Sequence, residues 1–382
     1  MADSLKVTQG EFSLSRFPKR QNETLRAWDA ADEYVLDYLA EKNIVDDSRS
    51  LLIINDSFGA LSVSLSQYQP LMQSDSYLAH QSVLANLADN KLAADSVKLA
   101  ASVEPLSGKF DVVIIKIPKS LALLEDQLMR LRPHLNADSV IIAAGMVKSI
   151  HNSTLNLFEK IIGSTRTSLA RKKARLIFSE LDTSLHVDEN PYPKSYLLED
   201  TQYQIFNHSG VFSQESLDIG TRFFLAHIPK ITGEKTIIDL GCGNGVVGLI
   251  AADRSPESEL VFVDESYMAV ASAEQNFKAA FADTRKARFE VTDCLNGIKE
   301  NSADVILNNP PFHQHNAVGD FIARQMFSES KIALKKGGEL WVIGNKHLGY
   351  LSILKKMFGN CTEVASDKKF MIVKSINGVK KF

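Results

Sequence analysis

The feature that most constrains this chain is a rhythm in residues 236–343: short apolar strands, each ending in a turn or an acid, alternate with stretches of helical pattern. Thr236–Leu240 runs into a Gly-rich turn, after which Val246–Ala252 reads as a helix. Glu259–Asp264 is a second strand ending in an acid, followed by helical periodicity over Met268–Phe281. Arg288–Asp293 is a third strand, also ending in an acid, and Ala303–Leu307 a fourth, running into Asn-Asn-Pro-Pro-Phe. A helix over Phe321–Ala333, a turn at Lys336–Gly338 and a fifth strand at Glu339–Ile343 complete the series. This alternation predicts an α/β fold with a parallel, doubly wound, Rossmann-like sheet. Ligands of such sheets bind beyond the carboxyl ends of the strands, where the Gly-rich turn, the acids and the Asn-Pro-Pro-Phe run all fall.

A weaker version of the rhythm occupies the first half, with strands at Ser50–Asn55, Met72–Asp75, Phe110–Ile115 and Ala137–Ala143. Asn55–Leu61 aligns with Asp239–Gly245, Ser74–Tyr77 with Asp264–Tyr267, and Asp111–Lys119 with Asp304–Phe312. The shared order and spacing predict an internal duplication, against chance recurrence of the same rhythm. The first copy keeps only Gly59 of the Gly-rich turn and has Lys116 and Ile117 where the second has Asn309 and Pro310. It is therefore read as degenerate in cofactor binding and catalysis. The polar, Pro-containing stretch 181–200, with Pro191 and Pro193, reads as a linker between a domain at 1–180 and one at 201–382.

Length and composition are compatible with two soluble domains: 382 residues, of which 45% are hydrophobic and 23% charged. No apolar run reaches the roughly 18 residues that suggest a spanning helix, and Met1–Gly10 lacks the apolar stretch of a signal peptide. Cys242, Cys294 and Cys361 are scattered, which fits neither a disulfide framework nor metal-ligand spacing and suits a reducing cytoplasm. A net charge of −3 argues against coating nucleic acid by bulk charge, though not against a local basic face.

Four motifs carry chemistry. In Asp239-Leu-Gly241-Cys242-Gly243-Asn244-Gly245 the alternate glycines let the backbone turn sharply against a ligand. The spacing is G-x-G-x-G, not the dinucleotide G-x-G-x-x-G, and the acid before the first glycine favours a ligand with a cationic amino-acid end, such as S-adenosylmethionine. Asp264, ending the next strand, suits a ribose diol, and Asp293 suits an adenine amino group. The structural alternatives are a plain strand–helix turn, a helix-capping Asp and an ordinary strand-end acid.

Asn309-Pro310-Pro311-Phe312 is the most specific of the four. An exocyclic amine on a base is a poor nucleophile because its lone pair is delocalised into the ring. Two acceptors aimed at its hydrogens, the Asn309 side-chain oxygen and the Pro310 carbonyl, would draw the nitrogen towards a tetrahedral form. The prolines restrict the turn, and Phe312 can stack on the target base. Neither a metal nor a covalent nucleophile is required, and the lone histidines, His313 and His315 among them, make no metal site.

Val211-Phe212-Ser213 and Asp218-Ile-Gly-Thr221 precede the first strand of this half and read either as a wall over the cofactor or as local packing and capping. Basic residues at Arg16, Lys19 and Arg20, at Arg171, Lys172, Lys173 and Arg175, and at Lys380 and Lys381 suit phosphate contacts, with a solvated face as the alternative for each cluster.

Taken together, Asp239–Gly245, Asp264, Asp293 and Asn309–Phe312 resemble the class I S-adenosylmethionine-dependent methyltransferases, in the branch that modifies amino groups. A degenerate first copy joined to an intact second resembles the bacterial rRNA guanine-N2 methyltransferases. Arg26–Tyr34, Asn55–Ser62, Ile150–Thr154, Phe262–Ser266 and Asn309–Gln314 resemble the large-subunit (23S) type. The resemblance implies two tandem methyltransferase domains, S-adenosylmethionine as cofactor, guanine N2 of 23S rRNA as target, an N-terminal domain that helps recognise RNA, and a cytoplasmic enzyme. Nothing in the sequence demands more than a monomer.

Other readings stay open on the residues alone: a 16S guanine-N2 methyltransferase, a protein glutamine methyltransferase, a DNA adenine methyltransferase, or a non-catalytic RNA-binding assembly factor. The duplication weighs against the glutamine and adenine enzymes, and the intact Asn309–Phe312 against a purely binding role.

Overall fold

The computed structural model describes residues 3–19, 23–282, 284–311 and 317–379. The chain forms two compact units, Met1–Tyr192 and Pro193–Phe382.

The first unit opens with an antiparallel hairpin of β1 (Asp3–Val7) and β2 (Gly10–Leu14). Its sheet contains β3 (Leu51–Ile54), β4 (Leu71–Ser74), β5 (Lys98–Ala101), β6 (Phe110–Lys116), β7 (Leu135–Met146), β8 (Thr165–Thr167) and β9 (Ala174–Ser179). Their order is β5-β4-β3-β6-β7-β9-β8. The second unit opens with a hairpin of β10 (Lys194–Leu197) and β11 (Gln204–Asn207). Its sheet contains β12 (Thr236–Leu240), β13 (Glu259–Asp264), β14 (Ala287–Val291), β15 (Ala303–Asn308), β16 (Leu334–Asn345), β17 (Thr362–Ser366) and β18 (Phe370–Ile376), in the order β14-β13-β12-β15-β16-β18-β17. Rank for rank, the two orders are the same.

The fully parallel sheet expected from the alternation is corrected here: both sheets are mixed. In each, five parallel strands are followed by an antiparallel pair, with β9 and β18 inserted beside β7 and β16. Within each pair a short turn suffices between antiparallel strands, so no helix separates β8 from β9 or β17 from β18 in the sequence. The central strands are buried on both faces and so read as near-continuous apolar runs. In the second unit Ile237, Val305, Leu307, Trp341 and Ile343 line one core, and Ile238, Ile306, Leu340 and Val342 the other.

The expected linker 181–200 is divided between the units, whose boundary, Tyr192 to Pro193, lies inside it. Its front belongs to the first unit, where the Asn190 amide donates to Asp126 Oδ1 at 2.6 Å and the Tyr192 hydroxyl to Glu125 at 3.0 Å. Lys194–Leu197 is a paired strand of the second unit. Prolines at both ends of Pro191–Pro193 hid this strand from the sequence reading.

Register gives the residue correspondence between the units. Ile54 pairs with Gln73, and the Asn55 N–H reaches the Gln73 carbonyl at 3.0 Å. Leu240 pairs with Val263, and the Gly241 N–H reaches the Val263 carbonyl at 2.8 Å. Gly59 (φ 83) and Gly245 (φ 77) cap the helices that follow. Asn55 therefore corresponds to Gly241, two positions from the Asp239 of the sequence alignment. Asn55 holds the same left-handed backbone, φ 67 against 70, which Asn tolerates better than most residues. A buried amide repeats as well. Asn86 bonds the Ser15 backbone and the Phe58 carbonyl, and Asn276 bonds the Phe206 backbone and the Asn244 carbonyl, tying hairpin to turn in each unit.

Candidate active site

The Gly-rich turn of the second unit is shaped from beneath. Asp239, buried near the end of β12, accepts the Gly248 N–H at 2.7 Å. A Cβ on Gly248 would lie 2.3 Å from the Phe262 ring, and one on Gly245 2.7 Å from Ala273 Cβ, so both positions require glycine. A Cβ on Gly243 would meet nothing within 4 Å; that side of the turn is open. Burial pushes the Asp239 carboxyl up to about 8, opposed by the Gly248 N–H and reinforced by the nearby Asp264 charge. No salt bridge to Asp239 occurs among the described residues. Burial likewise raises the Cys242 thiol.

Asp264 closes β13. Its Oδ2 accepts the Gly243 N–H and its Oδ1 the Ser266 N–H, each at 3.0 Å. Burial raises its carboxyl and these N–H groups counter the rise. The Glu265 N–H bonds the carboxylate as well, so three backbone N–H groups hold Asp264 in place at the strand end. Asp293 lies half-buried just beyond β14, which pairs with β13 up to Asp264 and Val291, so the two acids stand at neighbouring strand ends. The Asn244 side chain is occupied elsewhere: its amide donates to Asn207 Oδ1 at 2.9 Å and so braces the β10–β11 hairpin.

β15 ends at Asn308, whose amide donates to the Leu240 carbonyl at 2.8 Å and locks it to β12. Asn309 follows. Its Nδ2 donates to Thr221 Oγ1 at 3.1 Å, while its Oδ1 is buried without a hydrogen-bond partner among the described residues. Thr221 lies in the helix Ile219–His227, where the N-capping Asp218 Oδ2 accepts the Thr221 N–H at 3.0 Å and its hydroxyl at 3.4 Å. Asp218 thus holds Thr221, and Thr221 takes the amide hydrogen of Asn309, which sets the amide with its oxygen free. Pro310 is buried and Pro311 exposed; Phe312, His313 and His315 lie outside the described residues.

The sequence reading grouped the turn, Asp264, Asp293 and Asn309 at one end of the sheet, and register places them there. It missed how Thr221 engages Asn309, though Asp-x-x-Thr ahead of an apolar stretch was the legible signal. It also missed Asn308 and Asn345, polar residues that end apolar strands. Val211 is buried and Phe212 is 77% exposed.

The first unit answers each position with something closed. Ser74 stands for Asp264, bonding the Ser76 N–H at 3.1 Å. The buried Asp56 carboxylate takes the Gly59, Leu61 and Ser62 N–H groups, filling the helix start. By strand register Lys116 stands for Asn309, and Asp32, third after the capping Asp29, stands for Thr221. Lys116 Nζ lies 2.6 Å from Asp32 and 2.9 Å from Asp29. Burial raises the Asp32 carboxyl to about 6 against the pull of Lys116.

The basic clusters are largely paired within the fold. Lys19 meets Asp89, Arg171 meets Asp37 and stacks over Tyr34, and Lys172 meets Glu33. Arg20, Lys380 and Lys381 lie outside the described residues. Among the described residues, no His, Cys, Asp and Glu group could hold a metal, and no helix is long and apolar enough to cross a membrane.

Comparison with known proteins follows the two units. A family model described as the RLMG N-terminal domain matches residues 2–183, and one described as the methyltransferase small domain matches 202–374. The chain is 49% identical over 377 residues to a Streptomyces griseus protein named ribosomal RNA large subunit methyltransferase G, covering 97% of this chain and 98% of the relative. A Pseudoalteromonas translucida protein of the same name is 48% identical over 366 residues, covering 95% of each. Among solved structures, a T. thermophilus 16S rRNA N2 G1207 methyltransferase in complex with AdoMet and guanosine matches with a TM-score of 0.76 at 19% identity, covering 99% of this chain and 98% of that one. That likeness is one of fold.

Proposed function

The chain belongs to the ribosomal RNA large subunit methyltransferase G family, and from that premise we propose that it transfers a methyl group from S-adenosylmethionine to the exocyclic N2 amine of a guanine in 23S rRNA, giving N2-methylguanine. The observation that carries this reading is Asn309 Oδ1, a buried acceptor left without a partner where the strands end. Leaving such an acceptor unpaired costs about 1–3 kcal/mol, a cost that a donor arriving with substrate removes. The solved structure of like fold holds AdoMet and guanosine, which agrees with this assignment of cofactor and base.

The residues present fit the cofactor. The open side of Gly243 leaves room for its amino-acid end, with Gly241, Cys242, Asn244 and Gly245 forming the turn. Asp239, buried and without a salt bridge among the described residues, attracts its cationic group through the turn, Asp264 takes the ribose diol and Asp293 the adenine amine. When bound, S-adenosylmethionine supplies an electrophilic methyl group on a sulfonium. Asn309 Oδ1 and the Pro310 carbonyl accept the two N2 hydrogens, which concentrates the nitrogen lone pair. Pro311 stiffens the turn and Phe312 stacks on the base. As N2 bonds the methyl carbon, the carbon–sulfur bond would break with its electron pair left on sulfur as a neutral thioether, and one N2 proton would be lost to water while Asn309 Oδ1 and the Pro310 carbonyl hold the amine.

The first unit, with its site filled by its own side chains, serves RNA recognition. The protein acts in the cytoplasm, as a monomer and without a metal. Nucleoside analysis of rRNA from a strain lacking the gene, after incubation with protein and labelled cofactor, tests the reading: label belongs in N2-methylguanosine of 23S rRNA. Label in 16S rRNA alone would overturn the subunit assignment.

A further inference from the structure

Besides Asn308 and Asn309, a further buried amide lies at a strand end of the same sheet. Asn345 ends β16 and is 8% exposed; its Oδ1 is buried without a partner, and no hydrogen bond involves its side chain among the described residues. An amide in this position brings an acceptor oxygen beside a donor NH2, and leaving the buried oxygen unused is costly.

Register fixes which way it faces. Trp341 and Ile343, at alternate positions before it, lie in the core shared with Val305 and Leu307, the alternate positions before Asn309. Asn345 pairs across the antiparallel strand with Phe370, a member of that core. An ideal Cβ on Gly220 would lie 3.0 Å from the Phe370 ring and 3.0 Å from Asp218 Oδ2, so Phe370 abuts the helix start that holds Thr221, and Thr221 holds Asn309. β15 and β16 are parallel neighbours, with Asn308 opposite Val342. Asn309 and Asn345 therefore stand diagonally at adjoining strand ends, on one face, under one helix.

The degenerate unit supplies an internal comparison. Lys116 pairs with Ala144, so Met146, which ends β7 as Asn345 ends β16, takes the Asn345 position. Met146 packs against that unit's core. Where the Asn309 equivalent is tied up by Asp32, the Asn345 equivalent is apolar. The fold thus needs no amide there.

Resting on the guanine-N2 reading, we propose that Asn345 is the specificity-determining residue for guanine: its Oδ1 accepts N1–H and its Nδ2 donates to O6, while Asn309 holds the adjoining N2 amine. An extruded base is read along this edge, and Asn matches an acceptor and a donor side by side.

The test uses the full-length protein and a short RNA carrying the mapped target as guanine or as 2-aminopurine, which keeps the amine but lacks N1–H and O6. Wild type is expected to favour guanine in kcat/KM by at least about tenfold, because a site built for hydrogen bonds rejects the analogue that lacks them. In Asn345→Met and Asn345→Ala the guanine rate falls and the ratio approaches one. Cofactor affinity is unchanged, and melting temperature is not lowered in Asn345→Met. A wild-type ratio near one, or a ratio kept in both variants, would overturn the proposal. A wild type that methylates no guanine would instead overturn the functional reading beneath it.

Discussion

Thr221 Oγ1 accepts the Asn309 amide N–H at 3.1 Å and so decides which end of that amide is left for a ligand. Asp218 holds Thr221 in turn, as the cap of its helix. Thr221 is a positioning residue. Thr221→Val, which keeps the shape and removes the oxygen, should lower kcat by about tenfold to a hundredfold, the scale of a misplaced catalytic group. Cofactor affinity should hold, and Thr221→Ser should restore most of the rate. Steady-state kinetics on rRNA with calorimetric cofactor titration would check this; a Val variant at wild-type kcat would remove Thr221 from the account.

Asn309→Ala should abolish turnover with cofactor binding retained, whereas Asp264→Ala should weaken binding first. Calorimetry separates the two. A folded Asn309→Ala that binds no cofactor would show that the division of roles is wrong.

Asp239 sets a pH dependence. Its folded carboxyl titrates near 8 against an ordinary 3.8, so ionisation costs the cofactor-free fold stability. That contribution is fully favourable below the unfolded value and is lost as pH rises through the folded one. A cation beside the carboxylate reverses the preference. Affinity for S-adenosylmethionine should therefore rise with pH up to about 8 and fall beyond it, where the cofactor's own α-ammonium loses its proton, and Asp239→Asn should remove the rise. A wild-type affinity constant across this range would argue against the cation contact.

The first unit should bind no cofactor, giving a stoichiometry of one per chain by titration. Lys116→Met leaves the buried Asp32 without its counter-ion, the half-exposed Asp29 remaining solvated, and should destabilise that unit by about 3–5 kcal/mol, as for other broken buried pairs. Denaturant unfolding measures the loss. Unchanged stability would mean the triad is not what closes this site.

Much of this was legible in the sequence because strand ends carry the chemistry. Asp264, Asp293 and Asn309 follow apolar runs that define their own boundaries. The antiparallel pairs were not legible, since β17 follows a helix as the earlier strands do and only β18 returns beside β16 with no helix before it. β10 was masked by flanking prolines. Asn55 was misaligned by two positions because a run of similar residues fixes order but not hydrogen-bond register, and it is the bond to Gln73 that identifies its partner as Gly241. Thr221 and Asn345 acquire meaning only from groups distant in sequence.

The central claim is that the pocket around Asn309 methylates guanine N2 in 23S rRNA. The most direct measurement is transfer of labelled methyl from S-adenosylmethionine into 23S rRNA lacking the modification, by wild type and by Asn309→Ala side by side, with nucleoside analysis of the product. The account predicts N2-methylguanosine from wild type and none from the variant, although both bind cofactor. Label on another base, or N2-methylguanosine formed at the same rate by Asn309→Ala, would contradict it.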